Sequence, residues 1–98
     1  MKAYKHLVKF ALAQKYTVSV WYGEEWQLKR GSTYKDIIGA IESVEEVNLI
    51  IRDNLGNKMG WALVIPFGLK DEETVVDNTM TEFMNSWDVA YKPTITLV

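Results

Sequence analysis

Few side chains in this 98-residue chain are able to do covalent or acid–base chemistry. There is no cysteine and one histidine, His6. That excludes thiolate nucleophiles, disulfides, iron–sulfur clusters, cysteine-based zinc sites and any metal site drawing two His ligands from one chain. Ser19, Ser32, Ser43 and Ser86 all lie outside a Gly-x-Ser-x-Gly turn, and no Gly-rich loop runs into Lys-Ser or Lys-Thr, so neither a nucleophile elbow nor a P-loop is present. Thirteen carboxylates remain. Glycosidase-like work needs two of them about 5–10 Å apart across a cleft. Glu24 and Glu25 are neighbours at a reversal, so their side chains diverge into water. Asp71, Glu72, Glu73 and Asp77 lack the EF-hand spacing. They suit a helix start, where carboxylates meet the positive end of the dipole. His6 sits among lysines on a predicted helix and reads as an ordinary surface residue. The expectation is a protein that is not an enzyme and needs no cofactor or metal.

The chain's surplus is in rings: four Trp, five Tyr and three Phe. Folding hides only about two-thirds of the surface of a chain this small. Exposed Trp and Tyr anchor protein interfaces because a rigid ring fills a pocket at little entropic cost. The candidate partner-binding residues are Trp21, Glu24, Glu25 and Trp26 on one hairpin, with the loop Asp71, Glu72 and Glu73, forming an aromatic–acidic surface. Trp26 either faces out beside the acidic tip or packs beneath a helix. Lys29 and Arg30 follow Trp21, Tyr22 and Trp26, an interleaving on which bases could stack. Glu24 and Glu25 would repel phosphates, and the acidic C-terminal half offers no continuing groove, so nucleic acid is the disfavoured partner. A nucleotide-signal sponge using Lys29 and Arg30 at an oligomer interface is the small-ligand alternative, and virion assembly a further one. Spare aromatic surface also allows a homodimer.

These residues must be held by a simple alternation of elements. Tyr4, Leu7, Val8, Ala11 and Leu12 make an apolar stripe at helical spacing, which predicts an amphipathic helix over 1–15. Residues 16–22 are aromatic and β-branched and read as a strand, Gly23-Glu24-Glu25 reverses it, and Trp26 to Arg30 returns. Thr33 is an N-cap for a second helix ending near Ser43 to Glu45, in which Gly39 either weakens the helix or allows close packing onto the sheet. Val47 to Asp53 and Lys58 to Ile65 form a hairpin around Asn54-Leu55-Gly56-Asn57. The second of these strands is apolar on both faces, as a central strand is. Residues 67–78 read as a loop with one helical turn. Thr79-x-x-Glu82 is a capping box for a last helix with the stripe Met80, Phe83, Met84, Trp87 and Tyr91. Pro93 stops it, leaving 93–98 as an edge strand or a tail. The sum is a single α+β domain over 1–98, two-layered, with a mainly antiparallel four-stranded sheet in the order α-ββ-α-ββ-α.

The net charge is −2, too small to mark a DNA mimic or a general nucleic-acid binder. It is unevenly spread: residues 1–35 carry seven Lys/Arg against two Glu, and residues 36–98 four against eleven acidic groups. The expectation is that folding interleaves the two halves. Apolar runs fall far short of the ~20 residues that span a bilayer, and lysines interrupt the N-terminus, so the expected compartment is the cytoplasm, with no membrane partner.

Four segments carry a resemblance: Val20-Trp21-Tyr22-Gly23-Glu24-Glu25-Trp26, Gly60-Trp61-Ala62-Leu63-Val64-Ile65-Pro66, Glu73-Thr74-Val75-Val76-Asp77 and Phe83-Met84-Asn85-Ser86-Trp87. Together they resemble small accessory proteins of tailed bacteriophages. The aromatic strand leading to Glu24-Glu25-Trp26, the hairpin Leu49-Ile50-Ile51-Arg52-Asp53 with Gly56-Asn57, and the Trp-bearing last helix are similar to phage inhibitors of the host dGTPase. The second helix and the Ile65-Pro66 segment depart from that pattern. The resemblance implies a small non-enzymatic protein that binds and inhibits or redirects a host enzyme or defence complex, in the host cytoplasm. It brings no catalytic residues with it.

Overall fold

The computed structural model describes residues 1–67 and 70–95, the last three by backbone alone. Helix α1 (Ala3–Ala13) leads into strands β1 (Thr17–Tyr22) and β2 (Glu25–Gly31), helix α2 (Tyr34–Ile41), and strands β3 (Val47–Arg52) and β4 (Lys58–Val64). A 3-10 turn (Asp71–Glu73), strand β5 (Val75–Asn78) and helix α3 (Glu82–Ile95) complete it. The strands form one antiparallel sheet in the order β2-β1-β3-β4-β5.

The α+β class stands, but the sheet has five strands, not four. The extra one, β5, lies where a loop is expected, because four residues ending in Asp-Asn carry too little pattern to announce a strand. Its partner calls for it: β4 is apolar on both faces and gains a neighbour on each side. A second correction concerns Pro93, which does not stop α3; the helix runs on to Ile95. Proline lacks an N–H and so deletes one helical hydrogen bond, a loss that is tolerable in the last turn. Of the expected terminal strand or tail, residues 96–98 lie outside the described residues. A third concerns the cap of α3. Thr81, not Thr79, receives the Met84 N–H at 3.4 Å, while the Thr79 hydroxyl accepts the Trp61 N–H at 3.1 Å and ties the chain to β4. Helix α2 also ends earlier than expected, at Ile41.

All three helices cover one face of the sheet. From α1, Tyr4, Leu7, Val8 and Ala11 are fully buried, as their spacing predicts. Ile37 and Ile41 of α2 and Phe83, Met84, Trp87 and Tyr91 of α3 join them. The strands contribute alternate residues: Val18 and Val20, then Val47, Leu49 and Ile51, then Ala62 and Val64. Gly60 lets α3 approach closely, since a Cβ there would stand 2.6 Å from Met84 Cγ. Gly39, by contrast, has open space around it and makes no close packing.

Helix α1 ends in a Schellman motif. The Tyr16 N–H donates to Ala11 O and the Lys15 N–H to Leu12 O, with Lys15 at φ 65°, where glycine is usual. At the other end of α1, the Tyr4 N–H donates to the buried Thr74 hydroxyl at 3.3 Å. Thr74 directly follows Asp71–Glu73, so these carboxylates stand near a helix N-terminus that has no acidic residue of its own.

Candidate functional site

Among the described residues nothing covers the face of the sheet away from the helices, and two irregularities in β2 decide what it displays. Val20 pairs with Leu28 and Trp21 with Trp26, so Gln27 is an extra residue. Val18 pairs with Gly31, so Lys29 and Arg30 both stand opposite Ser19. In a regular strand Trp26 and Leu28 would share a face, and Leu28 packs against the core. The bulge at Gln27 turns Trp26 over to the open face beside Trp21. The second bulge does the same for Arg30, which joins Lys29, while returning Gly31 to the core side. Arg30 has φ 47°, a left-handed backbone conformation that side chains with a Cβ adopt at a cost. Its N–H donates to Ser19 Oγ at 2.8 Å, which fixes the bulge to β1.

Cross-strand register then lays out the open face in rungs. One rung runs Trp26, Trp21, Asn48, Leu63 and Asp77 across all five strands. The next places Lys29 and Arg30 beside Ser19, Ile50 and Trp61. The last sets Thr17, Arg52 and Lys58 side by side. The Trp61 indole N–H donates to Asn48 Oδ1 at 2.9 Å, which holds that ring in place between rungs. The Trp21 and Trp26 rings meet edge to face, 4.6 Å apart at 77°.

Two hollows adjoin at Trp26. One, of about 310 Å³, is lined by Trp21, Trp26, Asn48, Ile50 and Trp61. The other, of about 230 Å³, is lined by Ser19, Trp26, Lys29, Arg30 and Arg52. The first offers flat ring surface and the second positive charge. Neither is lined by a carboxylate or an imidazole. Among the described residues, the ion pairs within 4.0 Å are Lys5–Glu42 and Lys92–Asp88, so Lys29, Arg30, Arg52 and Lys58 are without carboxylate partners at that range. Asp53, the acidic neighbour of Arg52, is already engaged in its turn. Its Oδ1 accepts the N–H groups of Leu55 and Asn57 at 2.9 and 2.8 Å, and its Oδ2 accepts the Asn57 amide at 3.1 Å.

Of the residues singled out in the sequence, Trp21 and Trp26 come together, and Trp26 faces outward with 37% of its surface exposed. Glu24 and Glu25 are exposed at the hairpin tip, at the end of the face opposite Arg52. Asp71, Glu72 and Glu73 are exposed too, but they follow β4 on the side of the sheet edged by β5, against the start of α1, with three strands between β5 and β2. The hairpin residues Trp21, Glu24, Glu25 and Trp26 therefore stand together, while Asp71, Glu72 and Glu73 lie apart from them, and Trp26 also adjoins cations. Sequence reading missed Asn48, Ile50, Arg52, Lys58 and Trp61. Strict alternation in β3 would have found three of them, since Val47, Leu49 and Ile51 are buried between them.

The perturbed titratable groups belong to the helix layer. His6 is not a bare surface residue: its Nδ1 accepts the Trp87 indole N–H at 3.1 Å. Burial, then the N-terminal amine and Lys9, push its pKa down. Burial and a short hydrogen bond to Glu42 push the Tyr4 hydroxyl well up. No helix of the described residues is long and apolar enough to cross a membrane. Comparison with protein-family models, with curated proteins and with solved structures finds no match, so the reading of this face rests on its own geometry.

Proposed function

We propose that this chain is a non-enzymatic binding protein and that the open face of the sheet is its working surface. The observation that carries the reading is the placement of three of the four tryptophans, Trp21, Trp26 and Trp61, on the one face that no helix covers. Trp87, the fourth, is 4% exposed and belongs to the core. Turning Trp26 outward brings it against Trp21 but leaves 37% of its surface exposed, ring area on which a partner gains a rigid anchor. The resemblance to phage accessory proteins supplies the biological sense: a partner held on this face is inhibited or redirected, as a host enzyme or defence complex would be.

The test is capture from bacterial lysate by the tagged chain, compared with Trp26→Ala. Truncating such an anchor costs about 2 kcal/mol, a loss of roughly 30-fold in affinity. Capture should fall by that order while the circular dichroism spectrum stays that of the wild type. Undiminished capture by a folded Trp26→Ala protein refutes the assignment of this face. A second reading, a nucleotide or nucleic-acid ligand, is favoured by the cationic hollow that shares Trp26.

A further inference from the structure

Edge strands commonly carry lysines and bulges to discourage pairing with other chains. That device accounts for Lys29 and Arg30 on β2. It does not account for Arg52, which stands on an interior strand. Nor does it explain why these cations gather beside the exposed Trp26 while Asp53, the chain neighbour of Arg52, is occupied by its own turn. Arg30 reaches across the sheet as far as the β3–β4 turn, where its guanidinium nitrogens lie 3.8 Å from the Cβ position of Gly56. Positive charge thus runs along one end of the face from β2 to β4. Beside it lie three indoles, one fixed by Asn48 and two set at right angles to each other.

A ligand complementary to this face is flat and apolar on one side and anionic on the other, at repeated intervals. We infer that the open face binds single-stranded nucleic acid, with bases stacked on Trp26, Trp21 and Trp61 and phosphates held by Lys29, Arg30 and Arg52. Aromatic platforms on exposed sheets serve single strands because unpaired bases offer free π-faces, which a duplex does not. The overall charge of −2 does not oppose this, since the acidic residues of the C-terminal half lie mainly on the helix layer and the β5 side. The inference rests on the open face being the working surface and develops the nucleic-acid reading of it in place of a protein occupant.

The experiment is fluorescence anisotropy of a short labelled oligothymidylate titrated with the intact chain. Three phosphate contacts give a salt slope of about −2, so affinity should fall roughly 20-fold between about 50 and 200 mM salt. Arg52→Gln should reduce the slope by about 0.7. Trp26→Ala should weaken binding roughly 5- to 150-fold, the range for one base–ring stack, with the slope unchanged. Both positions lie at the surface, and circular dichroism checks that the variants fold. Absence of oligonucleotide binding at low salt overturns the inference. So does equal affinity for a duplex of the same length, or a slope indifferent to Arg52. If the oligonucleotide fails to bind but Trp26-dependent capture of a protein persists, the nucleic-acid inference falls and the working face stands. If Trp26→Ala changes neither, both fall.

Discussion

Replacing Arg30 by glycine should make the protein more stable and less able to bind. Arg30 holds φ 47° in the bulge opposite Ser19. A residue with a Cβ pays about 1–2 kcal/mol for the left-handed region, and glycine pays none of it. Glycine loses more backbone entropy on folding, about 0.5–1 kcal/mol. The bulge's own hydrogen bond, Arg30 N–H to Ser19 Oγ at 2.8 Å, is a backbone donation that glycine keeps. The net gain is about 0–1.5 kcal/mol, or a rise in Tm of up to about 12 °C for a domain of this size. Lys15, at φ 65° in the Schellman motif of α1, is the internal control. Lys15→Gly should gain a similar amount and leave binding untouched, because Lys15 belongs to the helix layer. Thermal denaturation followed by circular dichroism reads the stability, and oligonucleotide anisotropy reads the function. If Arg30→Gly is destabilised by more than about 1 kcal/mol, the conformation is a structural need and the argument from strain is wrong. If it is stabilised yet binds with unchanged affinity and salt slope, Arg30 is not part of the surface.

Two further glycine exchanges should have opposite signs. Gly31→Ala should cost about 1–3 kcal/mol by overpacking, because its Cβ would stand 2.8 Å from Ile37 Cγ1 and 3.1 Å from the Val18 carbonyl oxygen. Gly39→Ala, with open space around it in an exposed stretch of α2, should gain about 1 kcal/mol; urea unfolding measures both. His6, whose pKa is lowered in the folded protein, binds protons less readily there than in the unfolded chain. Its contribution is therefore fully present above its ordinary pKa of about 6.5 and is lost as pH falls through the lowered value. The Tm should fall over that acidic range, and a His6→Asn protein should lose that part of the dependence.

What the sequence made legible was the half of the molecule that obeys a period. The α1 stripe and the α3 stripe from Phe83 to Tyr91 are buried as their spacing requires, and the β3–β4 hairpin folds around the turn that Gly56 and Asn57 announce. Met80 fits the α3 stripe by spacing, yet it precedes the helix and is 83% exposed. The fifth strand escaped because its four residues include a bulge at Val76 and owe their conformation to β4 rather than to their own pattern. The site escaped for a related reason. Trp26, Leu28 and Arg30 alternate in sequence, and alternation assigns all three to one face. Two unpaired positions in β2 overturn that parity, and nothing local to Gln27 or Lys29 marks them as bulges.

That overturned parity is also the strongest sign that the open face has a use. A regular β2 would have directed Trp26 toward the helices, together with Leu28, and Lys29 to the opposite side from Arg30. The observed strand instead spends two bulges, one of them with a strained arginine, to expose an indole and bring two cations to the same rung. The first change buries no further apolar side chain in the core, the second returns only Gly31 to it, and the strained residue lowers stability. Bulges gather next to binding and catalytic sites because they re-aim side chains. Here the re-aimed side chains are an indole and an arginine, which join Lys29 and meet Arg52 from an interior strand around one hollow. Protection of the sheet edge accounts for the bulges and cations of β2 but not for Arg52 on an interior strand. The additional exposure of Trp26, and its contact with Trp21, are what the proposed reading requires: a partner that brings flat surface and negative charge to the same place.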